Sequence, residues 1–138
     1  MKRYEQFPHT ADIGVRVYGA DLPGLFGNAA FAMFDIIADL DGLTGTVEQA
    51  VELTAASPEE LLVAWLDELL YHFYTKQVIY YRFEIRAFSG TALKAVAYGR
   101  PVGANRNRLK TEIKAATYAD LAITKADGGY MTEIIFDT

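Results

Sequence analysis

The stretch from Ser57 to Phe73 constrains the fold more than any other part of this sequence. Ser57 is a preferred N-cap residue, Pro58 suits the first helical position, and Glu60 completes a capping box with Ser57. The apolar residues that follow recur at helical spacing: Leu61, Leu62, Trp65, Leu66, Leu69, Leu70 and Phe73. This stretch predicts a long amphipathic helix, which must bury its apolar face against another element.

A second helix is predicted after Asp21, a plausible N-cap residue. Apolar side chains then follow at intervals that alternate between three residues and one: Leu22, Leu25, Phe26, Ala29, Ala30, Met33, Phe34 and Ile37. This spacing is typical of a helix lying on a sheet. The turn-rich stretch 39–45 ends the helix.

The rest of the chain is dominated by alternating, β-branched segments. Strands are predicted at 3–8, 12–19, 46–55, 78–88, 91–99, 112–125 and 129–137, with hairpin turns at 89–90 and 127–129. Strand pairs alternate with single helices, which indicates the α+β class. We expect a single domain over residues 1–138, with a mixed, mostly antiparallel sheet of about six or seven strands and both amphipathic helices packed on one face.

Composition excludes several functional classes. The chain has no cysteine, so zinc–thiolate sites, disulfides and thiol nucleophiles are excluded. Its net charge of −5 argues against strong, independent binding of nucleic acid. No apolar stretch approaches a membrane span, and we expect a soluble, cytoplasmic protein without a membrane partner.

The motifs of common enzymes are also missing. The sequence contains no nucleophile elbow, phosphate-binding loop, dinucleotide-binding fingerprint or paired histidines at zinc-binding spacing. His72 lies one step from the apolar stripe of its helix, which favours a structural role. We expect a protein without catalytic residues; the alternative is a small hydrolase that uses His9 and Asp12.

Acidic groups lie near both ends of the sequence. Asp12 opens a strand within HTADIGVRVYG, and the final strand, YMTEIIFDT, continues to Asp137 and Thr138. If pairing brought Asp12 beside Asp137 and the carboxylate of Thr138, the three would form an all-oxygen cage, which suits calcium, magnesium or manganese. The alternative is that both aspartates are solvated at sheet ends.

A basic loop contrasts with the acidic composition. Its sequence, RPVGANRNRLK, carries Arg100, Arg106, Arg108 and Lys110. These residues are candidates for contact with phosphates or with an acidic patch on a partner. A solvated loop without a partner is the alternative.

Five segments in a fixed order resemble the archease family: FPHTADIGVRVYG, LFGNAAFAMF, LLVAWLDELLYHF, EIKAATYADL and IIFDT. The resemblance spans essentially the whole chain. The opening HTAD together with an aspartate just before the last residue is its most specific part. One departure is Ala119, at a position where relatives often carry histidine.

The resemblance implies a non-catalytic protein cofactor of an RtcB-type, GTP-dependent RNA ligase in tRNA splicing. Such a cofactor promotes guanylylation of the ligase and its multiple turnover, and meets tRNA only through the ligase. The resemblance also implies a divalent metal ion, calcium in the first place, bound by Asp12, Asp137 and Thr138. His9 would help to orient Asp12. A general chaperone, or an interaction module for nucleic-acid-processing proteins, is the alternative function.

Overall fold

The computed structural model describes residues 2–117 and 121–138. In chain order its elements are β1 (Tyr4–His9), β2 (Asp12–Gly19), α1 (Leu22–Ile37), β3 (Val47–Thr54), α2 (Pro58–Lys76), β4 (Val78–Phe88), β5 (Ala92–Pro101), a short 3-10 helix (Gly103–Arg108), β6 (Ala115–Ala116), β7 (Thr124–Ala126) and β8 (Gly129–Asp137). The predicted α+β class is confirmed, and all strand pairs in these ranges are antiparallel. None of the helices in these ranges has the length and apolarity needed to cross a membrane.

The first sheet joins the two ends of the chain. Its strands lie in the order β1-β2-β8-β6, and β7 also pairs with β8. A two-residue turn, Thr10–Ala11, connects β1 to β2, and Ala11 has a left-handed φ of 61°. β2 and β8 pair along their length, from Ile13 opposite Phe136 to Gly19 opposite Tyr130.

The second sheet is built from the middle of the chain. Its order is β3-β5-β4, and the β4–β5 ladder has irregularities between Tyr80 and Arg82 and between Ile85 and Ala87. Such bulges increase the local twist of a strand.

Both helices begin at the predicted N-cap residues. Asp21 accepts a hydrogen bond of 2.7 Å from the Gly24 amide, and Ser57 accepts one of 3.1 Å from the Glu60 amide. The predicted apolar stripe of α2 is buried, and the Trp65 indole donates a hydrogen bond of 3.0 Å to the Phe26 carbonyl of α1. Every residue of α1 is buried or half-buried, because the helix contacts β2 of the first sheet and β4 of the second.

Two details of the predicted architecture are wrong. The strands divide into two sheets instead of one, and both helices contact strands of both sheets. The apolar arc of α1 includes Ala32 and Ile36 as well as the predicted stripe, and it is too wide for a single sheet to cover. The predicted strand 112–125 is also wrong, since, of its described residues 112–117 and 121–125, only β6 and the first two residues of β7 are in a strand.

Side chains of α2 account for the second error. The Tyr74 hydroxyl donates a hydrogen bond of 2.6 Å to the Ile113 carbonyl, and the Asp67 carboxylate accepts one of 3.0 Å from the Ala116 amide. Because α2 takes the Ile113 carbonyl and the Ala116 amide, neither group can pair with a further strand, and the pairing of β6 with β8 covers only Ala115 and Ala116. Ala119 lies outside the described residues.

Candidate functional site

The first sheet brings Asp12 and Asp137 to the same end. His9 pairs with Asp12 across the β1–β2 turn, and Ala115 pairs with Asp137. The paired residues of β2 and β8 end at Ile13 opposite Phe136. Continued by one step, this register sets Asp12 opposite Asp137. Directly opposed residues of antiparallel strands have Cβ atoms about 5 Å apart. The resulting row is His9, Asp12, Asp137 and Ala115, which we call the acidic row.

The acidic row lies on the face of the sheet away from the helices. Val15, Val17, Ile134 and Phe136 are fully buried and point to the core. Successive side chains of a strand point to opposite faces, so Asp12 and Asp137 point outwards. The Asp12 side chain is 30% exposed, which leaves its carboxylate open to solvent.

Thr138 is tied to the β1–β2 turn. Its hydroxyl donates a hydrogen bond of 3.4 Å to the Ala11 carbonyl, next to Asp12. The left-handed backbone at Ala11 allows the two-residue turn that places this carbonyl. Thr138 therefore lies beside the two aspartates that the sequence predicted as its fellow ligands.

The carboxylates of the acidic row have few partners of their own. His9 Nδ1 lies 4.0 Å from Asp12 Oδ2, which is longer than a hydrogen bond. Over residues 2–117 and 121–138, the Asp137 side chain forms no hydrogen bond or ion pair, and the His9–Asp12 contact is the only one of the Asp12 side chain. Two adjacent carboxylates without a counter-charge repel each other and favour a bound cation.

The donor set fits a hard cation only if Thr138 takes part. No three His, Asp or Glu side chains within the described ranges group together as a metal site would require. Asp12 and Asp137 supply two carboxylates, and Thr138 supplies further oxygen atoms. Oxygen donors of this kind suit calcium or magnesium and would bind soft metals poorly. The metal ligands and the role of His9 stay predictions.

Asp67 of α2 contacts β6, the strand next to Asp137 in the acidic row. This residue was not predicted from the sequence. Its hydrogen bond from the Ala116 amide ties β6, which pairs with β8, to α2. The Lys114 amide donates a bond of 2.7 Å to the Asp137 carbonyl and continues this attachment. Burial raises the pKa of Asp67, although the bond from Ala116 opposes the shift. The only sequence signal was one acid beside an apolar helical stripe.

A charged network flanks the acidic row on the same face. Arg16 donates hydrogen bonds of 2.6 Å to Glu133 and 3.0 Å to Glu5, and therefore joins β1, β2 and β8. Hydrogen bonds from Lys2, Tyr18 and Arg16 lower the pKa of Glu5 to about 2. This network fixes the strands that carry the acidic row.

Phe7 fills the space between this network and the acidic row. Its ring lies over Gly14, where a Cβ atom would come within 2.4 Å of the ring. A glycine at position 14 is therefore needed for Phe7 to lie flat on the sheet.

The basic loop divides into two pairs of residues. Arg100 donates a hydrogen bond of 2.8 Å to the Thr44 carbonyl, and Arg108 donates bonds of 3.0 and 2.7 Å to the carbonyls of Asp39 and Asp41. These two arginines hold the loop that follows α1. Arg106 and Lys110 are exposed and line a cavity. A partner contact by any of the four stays a prediction.

Comparison with known proteins gives a consistent result. The model of the Archease protein family (MTH1598/TM1083) matches residues 4–138. The chain is 41% identical to a protein of Methanosarcina mazei named Protein archease, over 99% of this chain and 96% of that one. It is 32% identical to the Protein archease of Sulfolobus acidocaldarius, over 99% of each chain.

Solved structures share the fold. The solution structure of Methanobacterium thermoautotrophicum protein 1598 matches with a TM-score of 0.83 and 32% identity, over 100% of each chain. A crystal structure from Thermotoga maritima, described as an archease and possible chaperone, matches with a TM-score of 0.64 over 100% of this chain and 98% of that one. At 23% identity, the second match concerns the fold alone.

Proposed function

The chain belongs to the archease family, and from this premise we propose that it is a non-catalytic protein cofactor of an RtcB-type, GTP-dependent RNA ligase in the cytoplasm. It promotes guanylylation of the ligase and allows repeated turnover in tRNA splicing. RNA is contacted through the ligase. The observation that supports the proposal is the acidic row, because Asp12, Asp137 and Thr138, which the family resemblance selects, lie at the same exposed end of a sheet.

We propose that Asp12, Asp137 and Thr138 bind one divalent cation, calcium in the first place, with magnesium or manganese as alternatives. The two aspartates supply the negative charge, and the strand register fixes their spacing. When bound, the cation supplies a positive centre that can attract phosphate oxygens. His9 lies next to Asp12 and helps to orient its carboxylate.

Arg16 and Asp67 keep the proposed cation site rigid. Arg16 joins the three strands, and Asp67 ties β6, whose Ala115 pairs with Asp137, to α2. A rigid donor set loses little conformational entropy when it binds a metal ion or a partner. The proposed activity is therefore one of positioning at the ligase active site, without a covalent step on this chain.

The test is guanylylation of the cognate ligase with radiolabelled GTP and manganese, with this protein at a substoichiometric amount. The wild-type protein should raise the guanylylated fraction and the number of ligation turnovers. Asp12→Asn and Asp137→Asn should abolish both effects. The matched control is Glu48→Gln, which removes one exposed carboxylate from β3. Full activation by both aspartate variants would refute the role of the acidic row, and no activation by the wild type would refute the proposed function.

A second candidate function is general chaperone activity, favoured by the exposed aromatic side chains of Tyr71 and Tyr74. A chaperone of this kind would suppress the aggregation of unrelated, heat-denatured proteins. The effect would persist in EDTA and in Asp12→Asn. Suppression that disappears under either condition would contradict a metal-independent chaperone.

A further inference from the structure

A cavity of about 350 Å³ lies between the end of α2, the start of the 3-10 helix and the segment 109–112. Its floor is apolar and is formed by Ile37, Phe73, Val102 and Leu109. Ile37 and Val102 are each only 2% exposed, which shows that the floor is continuous with the core. A pocket of this size accepts one large apolar side chain.

The rim of the cavity carries two cations, Arg106 and Lys110. Both are exposed, and neither forms an ion pair or a side-chain hydrogen bond within residues 2–117 and 121–138. Their neighbours Arg100 and Arg108 are occupied by backbone carbonyls. The protein as a whole has a net charge of −5, but the rim of this cavity is positively charged. The rim is therefore complementary to an anionic ligand.

Aromatic side chains extend this surface along α2. Tyr74 lines the cavity and is 41% exposed, and Tyr71, one turn earlier, is 60% exposed. The hydrogen bond from Tyr74 to the Ile113 carbonyl fixes the ring at the rim. Tyrosine and arginine around a pocket are typical of the energetic centre of a protein–protein interface.

We infer that this surface docks an acidic segment of a partner protein that presents one large apolar side chain. The apolar side chain enters the cavity, and the neighbouring carboxylates pair with Arg106 and Lys110. Nucleic acid is disfavoured, because the buried apolar floor suits an apolar side chain and offers no partner to a phosphate or a sugar. Glu112 also lines the cavity, so the carboxylates of the segment must lie on the side of Arg106 and Lys110. The inference does not depend on the proposed RNA ligase.

The test is titration of the ¹⁵N-labelled protein, followed by amide chemical shifts, with a blocked pentapeptide of four glutamates around a central leucine. Saturable shifts are expected at Val102, Leu109, Lys110 and Thr111. Replacing the leucine of the peptide by serine, or its glutamates by glutamine, should each weaken binding about tenfold. High salt should weaken it as well.

Variants of the protein test the same contacts from the other side. Arg106→Glu with Lys110→Glu should weaken binding by at least about tenfold, and the neutral pair Arg106→Gln with Lys110→Gln should weaken it less. The control Lys125→Glu makes the same type of charge change on β7 and should have no effect. Circular dichroism would verify that each variant is folded.

Three results would overturn the inference. One is the absence of shifts around the cavity at saturating peptide. Another is that the serine peptide binds as tightly as the leucine peptide, or that the Arg106→Glu, Lys110→Glu variant binds the leucine peptide as tightly as the wild type does. The third is tighter binding of a short polyuridylate at these residues, which would make the surface a nucleic-acid site. Because the probe is a peptide, these outcomes are independent of whether the ligase is activated.

Discussion

Replacing Asp137 with asparagine should change the stability of this protein in opposite directions with and without a divalent cation. In the metal-free protein, Asp12 and Asp137 each lie next to the last pair of β2 and β8, Ile13 and Phe136, on the same face of the sheet. Like charges at this spacing destabilise a sheet by about 0.5–1 kcal/mol. The entropy of unfolding of a chain of 138 residues is about 0.3 kcal/mol/K. Asp137→Asn should therefore raise the Tm of the metal-free protein by about 2–3 °C.

A bound cation should reverse the order of the Tm values of the wild type and the Asp137→Asn variant. A ligand at a hundred times its Kd stabilises the folded state by about 2.7 kcal/mol, which raises the Tm by about 9 °C here. Asp137→Asn and Asp12→Asn should lose most of this increase, so that the wild type becomes the more stable protein. Glu48→Gln is the control and should keep the full response.

Differential scanning calorimetry in EDTA and across a calcium series checks both halves of this prediction. The increase in the metal-free Tm should shrink at high salt, because exposed charges are screened. If both aspartate variants lowered the metal-free Tm and kept the calcium response of the wild type, the two carboxylates would be structural, and the acidic row would bind no cation.

Further predictions concern the groups that support the fold. Asp67→Ala should lower the free energy of unfolding by about 1–3 kcal/mol, since it leaves the buried Ala116 amide without its acceptor. Asp67→Asn keeps that acceptor and removes the charge that burial disfavours. Urea unfolding at pH 7 should therefore show no loss of stability in Asp67→Asn. Burial lowers the pKa of His72, whose Nδ1 is buried without a partner within the described ranges. The unfolded chain therefore takes up the proton first, and stability should fall as the pH drops below about 6.5, less so in His72→Gln; an unchanged pH profile of urea unfolding would contradict this. Trp65→Phe removes the bond to the Phe26 carbonyl and should lower the Tm by about 7 °C, equivalent to about 2 kcal/mol, in a thermal melt.

The helices could be predicted from the sequence because their signals are local. Ser57 and Asp21 cap the helices through bonds to residues three positions later, and the apolar spacing alone fixes the buried face of α2. The strands of the hairpins were found for the same reason. By contrast, the division into two sheets depends on what covers α1 from each side, and no local pattern encodes that coverage.

The site shows the same division. Asp12 and Asp137 could be selected from the sequence, but their juxtaposition depends on the pairing of β2 with β8, which are more than a hundred residues apart. Asp67 and Tyr74 were missed because they act on the backbone of a distant segment. Arg100 and Arg108 looked like free cations, and only the folded loop after α1 reveals the carbonyls that they contact.

The pairing of β2 with β8 also has a consequence for biosynthesis. The ribosome makes β8 more than a hundred residues after its partner β2. During translation β2 can form only the hairpin with β1, and a single hairpin is marginally stable in water. Long-range pairing of this kind slows folding, because a long loop must close first. A nascent or truncated chain that lacks residues 129–137 therefore cannot bring Asp12 and Asp137 together, and this surface forms only after β8 has been made.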